Sequence, residues 1–294
     1  MIVVTGATGN FGSHVVDCLL KRIPPDQIGV SVRDPSRAQS LQARGVRVRS
    51  GDFSDPPSLG AAFEDASQVL VVSVDKLGAE GVAQSTAAID AAYAAGARRV
   101  LYTSHQAASA DSLFAPARDH AAVEAHLAAQ GKPYVALRNG YYTSSLLFHV
   151  GNATETGELR TPASGPTAWT SREDLGEAAA ALLAGANQDD GPTPPLTSPK
   201  AISLEEVAAI LSQATGRSIR HVVVDDESYV AGLISGGLPA PFARVFLDTF
   251  RAARCGEFAV SDPALATLLG REPQSVRAGL QAALKVGPQP ATAC

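Results

Sequence analysis

The chain opens MIVVTGATGNFG, residues 1–12, and the order of residue types in that stretch decides the first unit of the fold. Ile2, Val3 and Val4 form an unbroken β-branched apolar run, the pattern of a parallel strand buried on both faces. Val15, Val16, Leu19, Leu20 and Ile23 then recur at helical spacing. Gly6, Gly9 and Gly12 fall between the two patterns. In a tight strand-to-helix turn Gly6 would permit the turn and Gly9 would let the backbone approach a pyrophosphate. Gly12 would let the helix pack against the strand, with the phosphates over the helix N-terminus. Ala7, Thr8, Asn10 and Phe11 belong to the same loop. The expected cofactor is a nicotinamide dinucleotide.

The same rhythm continues along the chain. Strands are expected over 28–32, 46–50, 68–74, 100–103 and 134–138, with helices over 35–43, 81–95 and 117–130 and one opened by Asp55 ahead of Pro56. Strands that alternate with helices, each strand nearly continuously apolar, give an α/β fold, a doubly wound parallel sheet of the Rossmann type. Past Asn139 the pattern changes to Gly/Pro/Thr-rich stretches at 151–167 and 189–199. Helices resume over 172–183 and 204–214, the latter opened by a capping box of Ser203 and Glu206. A late strand is expected over 218–224, with further helices over 242–254 and 274–284. The organisation expected is an NADP-binding domain over 1–150, rejoined by elements near 167–200, a smaller C-terminal α+β substrate lobe over 151–286, and a disordered tail over 287–294.

Composition narrows the class of protein. With 45% hydrophobic and 18% charged residues the chain reads as an ordinary globular protein. No apolar run is long enough to cross a bilayer, and the first strand leaves no room for a leader, so a cytoplasmic protein without a membrane partner is expected. The three cysteines, Cys18, Cys255 and Cys294, are widely spaced with no metal-ligand pattern, which fits reduced thiols and no metal. A net charge of −5 without a basic block argues against nucleic acid. The partner expected is a small-molecule acceptor, and a homodimer is compatible with this surface.

Arg33 follows the second strand, roughly twenty residues past the glycine loop, where the reader of the ribose 2′ position belongs, and Arg37 lies one helical turn further on. An arginine fork suits a 2′-phosphate, so NADP(H) is favoured. Asp34 complicates this, since it could pair with Arg33 as a surface ion pair or oppose the phosphate. Asp52 and Phe53, after the third strand, suit the adenine side, and Phe53 is equally ordinary as core. None of the six tyrosines has a lysine four residues later, so the Tyr-x-x-x-Lys dyad of keto–alcohol chemistry is missing. Where it would sit, His120 and Glu124 are spaced to share a helix face, and the carboxylate could fix the imidazole tautomer. His120 is then a candidate proton donor, or else a surface histidine in an ion pair. His105, behind the fifth strand, is a candidate substrate contact or a plain pocket wall.

TGATGNFG, VRDPSRA, LYTS, DHAAVEAHL and LRNGYYTSSL follow one another along the chain, with TAWTSREDLGEAAAALL and ISLEEVAAILSQATG behind them. In this order the segments resemble the NmrA-like atypical short-chain reductases, and most closely their NADPH:quinone oxidoreductase and triphenylmethane reductase branch. The resemblance implies a nicotinamide pocket lined by Ser73, Ser104 and Asn139 to Tyr142, including Gly140 and Tyr141, with Arg33 on the 2′-phosphate; Val74 is a further candidate cofactor contact, although Val74–Asp75–Lys76 departs from the more Ser/Gly-rich turn of that branch. It implies hydride transfer from NADPH to a quinone or dye, in which His120, Asn139 and Tyr141 would be the catalytic group. Tyr142, Phe148 and Trp169, notable where aromatics make up only 5% of the chain, could stack a flat acceptor or simply pack between sheet and lobe. Two other readings stay open: an NADP(H)-binding redox sensor without turnover, and a biosynthetic reductase of an aromatic intermediate.

Overall fold

In the computed structural model, which describes residues 1–185 and 189–286, successive strand residues divide between two cores, which is why the strands are apolar without alternation. The first part of the chain alternates β1 (Ile2–Thr5), α1 (Asn10–Leu19), β2 (Ile28–Val32), α2 (Gln39–Ala43), β3 (Arg47–Ser50) and α3 (Pro56–Phe63). β4 (Gln68–Val71), α4 (Ala79–Ala94), β5 (Arg99–His105), α5 (Ala115–Ala129) and β6 (Tyr134–Asn139) continue it. There follow α6 (Thr143–Val150), α7 (Ala153–Thr156), β7 (Glu158–Thr161), α8 (Arg172–Leu183), β8 (Gly191–Pro192) and α9 (Leu204–Thr215). β9 (Arg220–Val223), α10 (Asp226–Ser235), α11 (Ala240–Arg254), α12 (Ala264–Leu269) and α13 (Val276–Val286) complete the chain.

Seven parallel strands form one sheet in the order β3-β2-β1-β4-β5-β6-β8. Strand order reverses between β1 and β4, which opens a crevice beyond their carboxyl ends where ligands bind in such sheets. Ile2 and Val4 face a core closed by α1 and α8, while Val3, Val69 and Tyr102 face one closed by α3, α4 and α5. α8 therefore returns to the sheet and packs on α1, and β8 adds the seventh strand. A third core gathers α6, α9, α13 and the two-stranded sheet of β7 and β9, with Leu146, Leu211 and Leu280 fully buried.

Several elements differ from their expected extents. The fourth strand stops at Val71 because the Val72 and Ser73 N–H groups leave the ladder to donate to Thr5 Oγ1 and Thr103 Oγ1, at 2.9 and 2.7 Å. The fifth runs on to His105, which is in register with Asn139. The expected helix over 35–43 splits into a 3-10 turn capped by Asp34 and the short α2. The helices α6, α7, α10 and α12 and the strands β7 and β8 give no clear signal in the sequence. The expected tail over 287–294 lies outside the described residues. No described helix is long and apolar enough to cross a membrane.

Candidate functional site

The glycine loop sits beyond β1. Gly6 adopts φ +62°, and the Gly9 N–H donates to the Gly6 carbonyl at 2.9 Å, closing the turn. A Cβ on Gly12 would lie 2.7 Å from the Gly6 carbonyl carbon and 3.0 Å from the Ala7 nitrogen, so the third glycine admits the loop's own backbone rather than the strand. A Cβ on Gly9 would meet only the Gly6 oxygen at 3.3 Å and otherwise open space. No side chain caps α1. Its first-turn N–H groups are thus available to an anion, and the loop fits a pyrophosphate.

Arg33 and Arg37 are exposed and make no ion pair among the described residues. Asp34 does not engage Arg33: its carboxylate accepts the Ser36 N–H and O–H at 3.0 and 2.7 Å, bonds that hold it below the usual carboxylate range. The Asp52 carboxylate is likewise folded onto its own turn, accepting from Ser54 N and Oγ, which lowers its pKa. Phe53 packs against the α3 side of the sheet, as core.

At the carboxyl ends of β4 to β6 the sequence-based set separates. Ser73 accepts from Thr103 Oγ1 at 3.0 Å, and with Val74 it lines a groove between α4 and α5. Ser104 does not line that groove; its Oγ donates to Glu124 at 2.5 Å on the α5 side of β5. At Gly140 the returning chain comes close. A Cβ there would overlap Thr170 Oγ1 and lie 2.8 Å from the Leu196 carbonyl, so it is a close-packing position between β6 and the returning chain. Asn139 is buried, and both its amide atoms lack a partner. Gln106, which sequence reasoning passed over, is buried beside it with both amide atoms unpartnered, and its N–H donates to the Asn139 carbonyl at 2.9 Å. Two orphaned buried amides at a sheet edge are a cost unless a ligand meets them. His105 Nδ1 accepts the Ala107 N–H at 3.2 Å, which leaves an unpartnered Nε2–H, and burial pushes this imidazole down to about 3.

His120 and Glu124 share no contact of the kind expected. Glu124 turns under β5 and β6, where Arg138 grips it through Nε at 3.1 Å and Nη2 at 2.7 Å. A bidentate charged pair outcompetes a neutral imidazole for the carboxylate. His120 Nδ1 is instead 2.8 Å from the Tyr102 hydroxyl, and burial lowers the imidazole to about 4. It is thus neutral near pH 7, not the partly protonated acid that an unperturbed histidine would be. Its ring stacks on His105 at 6.1 Å and 16°.

The aromatic residues take divergent places. Tyr141 stacks on Phe258 at 5.1 Å and shares a hydrogen bond of 3.1 Å with Thr249 of α11, so its hydroxyl is committed to the lobe. Phe114 and Phe258 complete the cage around His105. Tyr142 packs toward the α1 core with the Arg172 guanidinium 4.7 Å over its ring. Phe148 stacks on Phe246 of α11 at 4.1 Å, and Trp169 is buried in the lobe core with its Nε1 unpartnered. Tyr141 touches both Trp169 and the His105 cage, whereas Phe148 and Tyr142 lie apart from that cage.

The pattern of the NmrA-like family matches residues 1–277. Quinone oxidoreductase 2 of Escherichia coli is 32% identical over 92% of this chain and 94% of its own. The NAD(P)H azoreductase of Xenophilus azovorans is 30% identical over 86% of this chain and 87% of its own. Among solved structures, the Escherichia coli NADPH-dependent quinone oxidoreductase complexed with NADPH superposes at a TM-score of 0.90, with 32% identity, 97% of this chain and all of that chain covered. The Citrobacter sp. triphenylmethane reductase complexed with NADP(H) superposes at 0.89, with 32% identity over 96% of this chain and 99% of that one. On matched length and fold, the chain belongs to the NmrA-like family.

Proposed function

We propose that this protein is an NADPH-dependent oxidoreductase that passes a hydride to a quinone-like or other conjugated, electron-poor acceptor. The observation that carries the reading is a single sheet edge that combines a glycine loop, two unpaired arginines and two orphaned amides, in a chain similar end to end to a quinone oxidoreductase and a triphenylmethane reductase. Residues 1–139 with the returning segment around α8 and β8 would hold the cofactor, and the remainder would close over the acceptor. Gly6 to Gly12 and the start of α1 would bind the pyrophosphate. Arg33, with Arg37, would bind the 2′-phosphate, and Asn139 and Gln106 are the amides suited to the carboxamide end. NADPH supplies the hydride when bound. The His105 cage of Phe114, Tyr141 and Phe258 would exclude water and present an aromatic wall to a flat acceptor. His120 would stand near the acceptor as its proton donor. The free thiols of Cys18 and Cys255 fit a reducing cytoplasm.

The test is loss of NADPH absorbance against a panel of quinones, dyes and imines. Turnover with quinones or dyes is expected, and absence of oxidation with the whole panel would remove the reading. Arg33→Ala is expected to weaken NADPH about ten-fold or more and to leave NADH little changed, because a charge-assisted contact contributes about 1.5–3 kcal/mol. Equal wild-type affinities for the two cofactors would show that Arg33 does not read the phosphate.

A further inference from the structure

The pairing of His120 raises a chemical difficulty for the reading just given. Its Nδ1 faces the Tyr102 hydroxyl at 2.8 Å, and its Nε2 has no partner among the described residues. A neutral imidazole that gives up an Nε2 proton becomes an imidazolate unless Nδ1 gains a proton in the same event. The neighbours supply one. Tyr102 is nearly fully buried, at 2% exposure, and lines the same groove as Ser85 of α4, which is equally buried. A relay along these groups requires Ser85 O–H to face Tyr102, Tyr102 O–H to face His120 Nδ1, and Nε2–H to point outward. Ser85, Tyr102 and His120 line one groove between α4 and α5, together with Ser73, Val74 and Asp119. A buried tyrosine and a buried serine hydroxyl have no need to point toward an open groove for the sake of packing.

We propose that Ser85, Tyr102 and His120 form a proton relay that delivers a solvent proton to the reduced acceptor, with Tyr102 and Ser85 as positioning residues that act through His120. The relay rests on the proposed reductase activity. As negative charge builds on the acceptor oxygen, the Nε2–H bond breaks and an acceptor O–H forms. The Tyr102 proton moves to Nδ1, the Ser85 proton moves to the Tyr102 oxygen, and groove water gives a proton to Ser85 Oγ, its hydroxide passing to the buffer. Four bonds to hydrogen break and four form, and nothing in the relay is oxidised or reduced. After product leaves, the protons shift back one place, with water taking one at Ser85 and giving one at Nε2.

The charged groups around His120 leave it to this chain. Asp119 Oδ2 accepts the Gly78 N–H at 2.7 Å, Lys76 pairs with Glu80 at 3.4 Å, and Glu124 is held by Arg138 and Ser104. His105 stacks on the ring and offers no hydrogen bond to it.

The experiment compares wild type, His120→Ala, Tyr102→Phe and Ser85→Ala with a weakly and a strongly oxidising quinone, in water and in deuterium oxide, with a thermal melt of each. The expected result is that the ratio of turnover on the weak acceptor to that on the strong one falls about ten-fold or more in Tyr102→Phe and less in Ser85→Ala. The solvent isotope effect on the weak acceptor should fall toward one in both, and the double variant should be no worse than Tyr102→Phe. Loss by one common factor on both acceptors would mark a structural role and overturn the relay. Ser85→Ala, which removes only a hydroxyl, carries the test if Tyr102→Phe does not fold. A ratio that falls in His120→Ala but holds in Tyr102→Phe and Ser85→Ala overturns the relay and leaves His120 as donor. A ratio that holds in His120→Ala overturns both. A wild type that oxidises NADPH with no acceptor fails at the earlier step, so the two failures are distinct.

Discussion

Gly9→Val is expected to abolish NADPH binding while the protein stays folded, and Gly12→Val to damage the fold itself. The two glycines are three residues apart in one loop, yet a side chain meets different surroundings at each. At Gly9 the backbone is extended, with φ −91° and ψ 167°, a conformation that valine adopts, and the added carbon needs only a small give from the Gly6 oxygen. Beyond it lies the space a pyrophosphate would fill. Losing two or more charge-assisted N–H contacts there corresponds to a drop of about 10²–10⁴-fold in affinity. At Gly12 the added carbon runs into the Gly6 carbonyl and the Ala7 nitrogen, both backbone, so the turn must open. Overpacking of this sort costs about 1–3 kcal/mol, or roughly 2–12 °C in Tm for a chain of this size. Calorimetric titration with NADPH alongside a melting curve separates the cases. Normal affinity in Gly9→Val would reduce the loop to a structural turn.

A second large effect is expected from mild acid. His105 and His149 are buried, at 8% and 6% exposure, and burial lowers their imidazoles to about 3 and about 4; His120 is lowered to about 4 as well. Each is therefore neutral in the folded protein and takes up a proton on unfolding once the pH is below the unfolded value of about 6.5. Because the folded values are depressed, their stabilisation is complete above pH 6.5 and is lost as pH falls from there toward about 4. Each fully buried histidine contributes a slope of about 1.4 kcal/mol per pH unit in that window. Carboxylates held low, such as Glu205 at about 2 beside His221, lose their contribution only at more acid pH. The Tm should thus fall steeply between pH 6.5 and 5, by roughly 5–10 °C, above the range in which the carboxylates held low lose their contribution. His149→Gln keeps a polar group facing the Tyr229 hydroxyl, which lies 3.3 Å from Nδ1 in the wild type, and removes the titration, so the slope should become shallower. A flat Tm from pH 6.5 to 5 in the wild type would refute the assignment.

Much of the first half of the fold is legible because its signals are local. Ile2 to Val4, the glycine spacing and the helical recurrence behind them each depend on residues within a turn or two, and the capping box of Ser203 and Glu206 forms as read. The second half resists for a physical reason. β7 and β9 hold together through partners about sixty residues apart, and β8 is a pair of residues recruited by β6, so pairing, not propensity, makes them strands.

The site divides along the same line. Sequence by itself determined the doubly wound sheet, the place of the glycine loop and the arginines behind the second strand, because chain order along a parallel sheet carries those residues to one edge. Tertiary structure decided what each side chain does there. Glu124 lies one turn from His120 in sequence but belongs to Arg138, a residue of β6 whose guanidinium offers it two hydrogen bonds. Ser104 goes with Glu124 on the α5 side of β5. Tyr102, on β5, takes the histidine, and Gln106 becomes a site residue only because its buried amide finds no protein partner. Spacing along a helix or strand limits which groups can meet. Which of them do meet is settled by competition among charges and hydrogen bonds brought from elsewhere in the chain, and that competition exists only once the elements have packed.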